Sequence, residues 1–360
     1  MKQKKVYLTL QNGKSFQGWR FGADGETVGE LVFSTGMVGY MENLTDPANY
    51  GQIVVQTFPL IGNYGAIRAD VESDKAWVSA YVVREICENP SNFRMEDTLE
   101  TYLKEENVIG IYGVDTRQLT KILREEGVMN ARISDKPLTD EEVKALAGYT
   151  LTGGLKAVAP TQKGYFEAKN ATHTLALWNL GAKNSTIQNL NKHGYNVISM
   201  PAASTAEEIL ALNANGVVIS DGAGNPNENI ALIAEVKKLL GKLPVMGLGL
   251  GHLTVALATG AKVVKQKYGH RGGNQPVKSL ADGRVYISVQ NHGYEVVTDS
   301  LQQGKISFVN VNDGSCEGID YDELNAFTVQ FTPESCGIGH PENVLYNKWN
   351  AMLLKENENA

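Results

Sequence analysis

Cysteine is scarce in this chain. Cys87, Cys316 and Cys336 are three in 360 residues, too few and too scattered for a disulfide framework or a zinc-ligand cluster. Free, packed thiols in a reducing compartment are their ordinary role, so a cytoplasmic location is expected. Long apolar runs are missing too. The basic start Met1-Lys2-Gln3-Lys4-Lys5 leads straight into a strand-like segment, which argues against a signal peptide and a membrane partner. Positive charge is not in excess: a net charge of −7 disfavours nucleic acid as a partner. Internal repeats and low-complexity tracts are absent. What is present is an ordinary globular composition, 42% hydrophobic and 20% charged, and a length that suits two or three domains.

The chain changes texture once. Residues 6–10 and 15–21 alternate around Asn12-Gly13, a strong hairpin signal. Strand patterns follow at 31–35, 53–58 and 77–83, and helical ones near 98–106 and 116–126. Residues 1–150 therefore read as a mixed, β-rich domain. The polar, glycine-containing stretch 151–170 has weak periodicity and is expected to be a linker. Beyond it, strand patterns at 174–178, 196–200, 217–220 and 244–246 alternate with helical ones at 181–193, 205–213 and 229–240. That alternation predicts a doubly wound parallel sheet over 171–360, an α/β class, with its crevice beyond the carboxyl ends of the strands. Residues 284–330 are strand-rich, and a final helix is expected near 343–355.

One atom group is conspicuously missing. Gly247-Leu248-Gly249-Leu250-Gly251-His252 follows the apolar run 243–246 and precedes a helix-like run, 253–258. Strand, tight glycine turn and helix make an elbow in which many hydrolases present a nucleophile beside helix N-terminal N–H donors. The central position calls for Ser or Cys, and it is Gly249. Such an elbow strains its central residue, and glycine tolerates that conformation at little cost. The frame of a nucleophile site is present without its nucleophile.

Several motifs in order now carry a resemblance. They are Asn179-x-Gly181-Ala182-Lys183, Gly222-x-Gly224-Asn225-Pro226, Gly247-x-x-x-Gly251-His252, the run from Lys267-Tyr268-Gly269-His270-Arg271 to Asn274-Gln275-Pro276-Val277, and Gln290-Asn291-His292-Gly293-Tyr294. Together they resemble a class I glutamine amidotransferase domain, and specifically the carbamoyl-phosphate synthase small-subunit family. Gly39-Tyr40-Met41-Glu42-Asn43-Leu44-Thr45-Asp46-Pro47, Pro59-Leu60-Ile61-Gly62-Asn63-Tyr64-Gly65 and Gly113-Val114-Asp115-Thr116-Arg117-Gln118-Leu119-Thr120 are similar to that family's own N-terminal domain. The resemblance spans residues 4–355. It implies a Cys thiolate that attacks the glutamine amide and a His that activates it and protonates the departing ammonia. It also implies a Glu that orients the His and backbone N–H groups that hold the oxyanion. A large-subunit partner is implied, which uses the ammonia with bicarbonate and ATP to make carbamoyl phosphate for pyrimidine or arginine synthesis. ATP and magnesium are then expected on that partner, with no cofactor and no metal on this chain.

The chain departs from the family where the chemistry lies. The family elbow G-x-C-x-G-H has Gly249 at the nucleophile position. The family string F-Q-G-H-P-E corresponds to Phe331-Thr332-Pro333-Glu334 and the residues before it, so Thr332 stands at the base position while Glu334, the orienting carboxylate, stays. A substrate-binding Gln is Leu253, and a substrate-contacting Ser of the first domain is Gly36. Gly222, Gly224, Leu250, Asn291 and Gly293 match substrate-binding positions, with Tyr294 in place of a Phe. The N–H of Leu250 is expected to supply half of an oxyanion hole. Changes at Gly36, Leu253, Phe331 and Thr332 beside Gly249 argue against a single engineered knockout. The expectation is a small subunit, heterodimeric with a large one, whose glutamine hydrolysis is lost or severely impaired and whose complex uses free ammonia. The alternative is a non-catalytic regulator or scaffold that senses glutamine or another small amino acid. A third reading reassigns the chemistry to Glu334 with Asn291 and His292.

Other candidates carry less. His340, in Gly339-His340-Pro341-Glu342, mimics the lost string but lies eight residues downstream of Thr332. Cys336 faces a crevice without a base, and Cys316 opens a strand after a turn, so both are expected to be packed thiols. His252 and His292 occupy positions expected to be structural. His270 with Arg271 and Asn274 offers an anion site, though an architectural role is the expectation. The Gly222-x-Gly224 turn lacks the Lys-Ser/Thr of a phosphate loop, which argues against nucleotide binding.

Overall fold

The computed structural model describes residues 4–333 and 341–359, and the chain divides into compact units at Thr152/Gly153. The first unit is a closed seven-stranded barrel. Its hairpin forms as the Asn12-Gly13 signal predicts: Lys5–Leu10 pairs antiparallel with Ser15–Gly22, with Thr9 opposite Ser15. Around the barrel follow Ile109–Tyr112, Ala80–Val82, Gln52–Gln56, Thr27–Ser34 and Met129–Ser134. Closure depends on Met129–Ser134, which pairs with both Lys5–Leu10 and Thr27–Ser34. Sequence periodicity did not single that strand out. Helices Leu99–Glu105 and Thr116–Glu126 start where the side chains of Thr98 and Asp115 accept backbone N–H groups of the first turn. Of the expected strand at 77–83 the regular part is Ala80–Val82; the Trp77 N–H goes instead to the carbonyl of Leu44.

The second unit is built on a ten-stranded sheet. Its parallel centre runs Tyr195–Pro201, His173–Asn179, Gly216–Ile219, Val245–Leu248, Ala326–Val329. These strands read as near-continuous apolar runs because helices cover both faces. The side chains of Leu175, Leu177, Val218 and Met246 pack toward Tyr346 and Trp349 of the final helix, Pro341–Asn359. Those of Ala176, Trp178, Val217 and Val245 pack on the other side against Ile209, Val236 and Val255. Beyond Ala326–Val329 the sheet turns antiparallel through Cys316–Tyr321, Lys305–Asn310, Val263–Ser279 and Val285–Val296. The mixed α/β class with a β-rich first half and a doubly wound second half is as expected. The stretch 151–170 corrects the expectation of a plain linker. It carries the helix Gly154–Val158 and an edge strand, Gly164–Phe166, paired antiparallel with Tyr195–Pro201. Its weak periodicity reflects an exposed edge rather than an absence of structure. Among the described residues no helix is long and apolar enough to cross a membrane.

Candidate functional site: an elbow without a nucleophile

The elbow lies at the carboxyl end of Val245–Leu248, between the neighbouring parallel strands Gly216–Ile219 and Ala326–Val329. Val245–Leu248 ends at Gly249, and the helix Leu250–Ala258 begins at the next residue. Gly249 holds φ 51° and ψ −109°, a conformation that side chains rarely adopt. The turn thus has the strained backbone of a nucleophile elbow. Its N–H donates to the carbonyl of Val329 at 2.9 Å, and the Gly251 N–H donates to that of Ser220 at 3.1 Å. Gly251 is required for a different reason: a Cβ there would stand 2.2 Å from the carbonyl oxygen of Ile219, so its absence lets helix and strand approach.

The neighbouring turn is pinned in the same way. The Ser220 hydroxyl accepts the N–H of Leu180 at 2.9 Å and donates to the carbonyl of Asp221 at 2.7 Å. Asn179 Oδ1 accepts the N–H groups of Gly181 and Ala182 at 2.9 and 2.7 Å. These bonds place Asp221 beside the elbow. Its Oδ1 accepts the N–H of Leu250 and that of Gly222, each at 2.8 Å. The Leu250 donor, expected to await an oxyanion, is therefore already engaged. Asp221 was not among the residues that the sequence singled out. It stands directly before the Gly222-x-Gly224 turn, but nothing local says where its carboxylate points.

Thr332 is buried, its N–H on the carbonyl of Val289 at 3.0 Å. Its hydroxyl accepts from Nζ of the buried Lys183 at 2.9 Å. Lys183 was legible as part of a motif but not as a neighbour of Thr332. Leu253 points into the apolar core together with Leu250. Asn291 lies opposite Arg271 in the ladder, and Tyr294 packs against the core. Gly222 and Gly224 form the turn after Asp221. Gly36 belongs to the first unit, in the loop after Thr27–Ser34, where its carbonyl accepts from the Gln56 amide. Glu334, Cys336 and His340 lie outside the described residues.

The histidines are packed and partnered. His252 is fully buried behind the elbow, Nδ1 facing the Thr328 hydroxyl at 2.8 Å, and burial pushes its imidazole down to about 3, so it is neutral. His270 Nε2 faces Asp313 at 2.8 Å and Nδ1 faces Glu317 at 3.2 Å. Burial opposes its charge, but the bonds to both carboxylates outweigh this and lift it to about 9. Burial lifts Glu317, although His270 works against that; burial and then the neighbouring His270 charge hold His292 well below its ordinary value. His270, His292 and Glu317 offer ligand atoms within 4.8 Å of one another. Both ring nitrogens of His270 already meet carboxylates, so its imidazolium supplies the positive charge there. His270 is committed to Asp313 and Glu317, and Arg271 Nη1 donates to the carbonyl of Tyr268 at 2.7 Å, which favours the architectural role expected of His270, Arg271 and Asn274. Burial pushes the Cys316 thiol up to about 12, which leaves it unreactive. Cys87 is half-buried and unbridged.

Comparison with known proteins fits this geometry. The family model for the carbamoyl-phosphate synthase small chain, CPSase domain, matches residues 8–133, and the class-I glutamine amidotransferase model matches 177–351. The chain is 44% identical to the carbamoyl phosphate synthase small chain of Clostridium perfringens over 333 residues, 92% of this chain and 95% of that one. It is 42% identical to the one from Fusobacterium nucleatum over 344 residues, 95% and 96% of the two chains. With the Listeria monocytogenes protein it shares 41% over 357 residues, 98% of each.

Proposed function

Since the chain belongs to the carbamoyl phosphate synthase small chain family, we propose that it is the small subunit of a synthase fed by free ammonia, its own glutamine-hydrolysing centre being inactive. The observation that carries this is the bare elbow: Gly249 keeps the backbone of a nucleophile turn and offers no atom to attack an amide. Glutamine hydrolysis by this route needs a thiolate that forms a thioester and expels ammonia, and then a water that cleaves the thioester. Without the thiolate neither half begins. The base position compounds the loss, since the Thr332 hydroxyl neither takes up a proton at neutral pH nor returns one to a leaving amine. It is occupied instead as acceptor for Lys183. In the best-studied serine hydrolase, removing the nucleophile or the base alone lowers kcat on the order of 10⁶-fold.

On this reading the chain keeps its partnership with a large subunit, where bicarbonate, ATP and magnesium are handled, and contributes no nitrogen of its own. The test is to purify it with the large subunit and assay carbamoyl phosphate formation with glutamine and, separately, with ammonium. Activity with ammonium alone is expected. Turnover of glutamine would show that another residue serves as nucleophile and would overturn the reading. Failure to form a complex would leave the amino-acid-sensing scaffold as the better account, and a titration with glutamine and related amino acids would then decide it.

A further inference from the structure

The elbow has lost its nucleophile, yet the space around it is not empty. A Cβ built on Gly249 would stand 2.2 Å from Asp221 Oδ1, 2.3 Å from its Cγ and 2.7 Å from Oδ2. The Asp221 carboxylate therefore lies where a side chain at position 249 would begin. The same Oδ1 accepts the N–H groups of Leu250 and Gly222, each at 2.8 Å. One of these donors opens the elbow helix Leu250–Ala258, and the other sits on the facing turn. Two convergent backbone donors, one of them at a helix N-terminus, form the arrangement that stabilises the oxygen of a tetrahedral intermediate. An ionised carboxylate is a stronger acceptor for such donors than a neutral amide carbonyl.

We propose that Asp221 is a built-in occupant of the glutamine site: its carboxylate fills both the oxyanion notch and the start of the nucleophile's space, and so keeps a glutamine side-chain amide away from the elbow. This deepens the reading of an inactive glutaminase centre and rests on it. Asp221 thereby acts as a specificity residue. An amide oxygen that enters the notch has to displace a tethered anion held by two N–H bonds, and the carboxylate repels the oxyanion that would form next. The loss of glutamine chemistry is then an active exclusion, and restoring residues 249 and 332 leaves the obstruction in place.

The test follows the backbone amide resonances of Leu250 and Gly222 in the isotopically labelled full chain, with acetate as the probe. Acetate carries the same acceptor group as the Asp221 side chain. In wild type, both amide protons are expected downfield and unmoved by acetate. In Asp221→Ala they move upfield, exchange with solvent at least tenfold faster, and return toward their wild-type positions as acetate is added. Unmoved amides in the variant would overturn the proposal. Amides that move but ignore acetate would do so too, since the notch would then not be an oxygen site that Asp221 keeps occupied. A wild-type response to acetate equal to the variant's would also overturn it. Should Asp221→Ala fail to fold, Asp221→Asn reports on the same amides, with a smaller upfield shift because a carboxamide oxygen accepts more weakly. Wild-type glutamine turnover would sink the proposed function, whereas immobile amides sink only the occupancy of the notch.

Discussion

Two polar regions of the second unit contrast. At the elbow the backbone turns as at a nucleophile site, and the central residue, Gly249, offers no side chain. In the buried group around His270 the side chains are kept and satisfied, with Asp313 and Glu317 on the two ring nitrogens and Gln290 and Asn310 on Glu317. The elbow's turn is demanded by packing: Gly251 must approach Ile219, and the chain must leave Val245–Leu248 sharply to start a helix. That demand holds whether or not the turn carries a nucleophile. The buried group answers to electrostatics, because a charge removed from water has to be partnered whatever the protein does.

The largest effect that would sharpen this contrast is in the buried group. Glu317→Ala leaves the His270 imidazolium short of a partner and is expected to destabilise the chain by about 3–5 kcal/mol, read from chemical denaturation. A change below the scatter of surface substitutions would mean that the group is not structural. At the elbow the expected effect is smaller. Gly249→Ala forces a side chain to φ 51° and onto Asp221, and should cost about 1–3 kcal/mol. Adding Asp221→Ala should recover part of that, and strict additivity in the double-mutant cycle would refute the contact. In the same place, Gly249→Cys alone should yield no glutaminase activity, and Gly249→Cys with Thr332→His partial activity at most. Full activity from the single change would break the reading of the base loss.

The pH dependence separates the histidines. His270 is lifted from its ordinary 6.5 to about 9, so its contribution to stability is complete below 6.5 and is lost as pH rises toward 9. His252 and His292 are shifted the other way and weaken the fold only as pH falls below 6.5. Thermal melts from pH 6.5 to 9 should therefore decline in wild type and flatten in His270→Gln. Equal slopes in both would exclude His270 as the titrating group. The smallest effect is expected at Thr332. Thr332→Val removes one acceptor from Lys183 and should cost about 1 kcal/mol, with activity on ammonium unchanged.

Much of this protein was legible in the residues alone. The hairpin at Asn12-Gly13, the helices expected near 98–106, 116–126 and 205–213, the parallel centre of the second sheet and the elbow are local patterns. Turn chemistry, caps and apolar runs act over a few residues and need no distant information. The family followed from motif order. What lay beyond local reading was every fact that joins distant segments. Barrel closure needs Met129–Ser134 to meet two strands more than ninety residues earlier in the chain. The stretch 151–170 gains its strand only because Tyr195–Pro201 offers it an edge. Lys183 meets Thr332 across 149 residues, and Asp221 reaches Leu250 across 29. Sequence determined that position 249 carries no side chain, because an absent side chain is absent in any conformation. Only the tertiary structure decided what stands beside that position, because the place of the Asp221 carboxylate is set by the strands that bring it there.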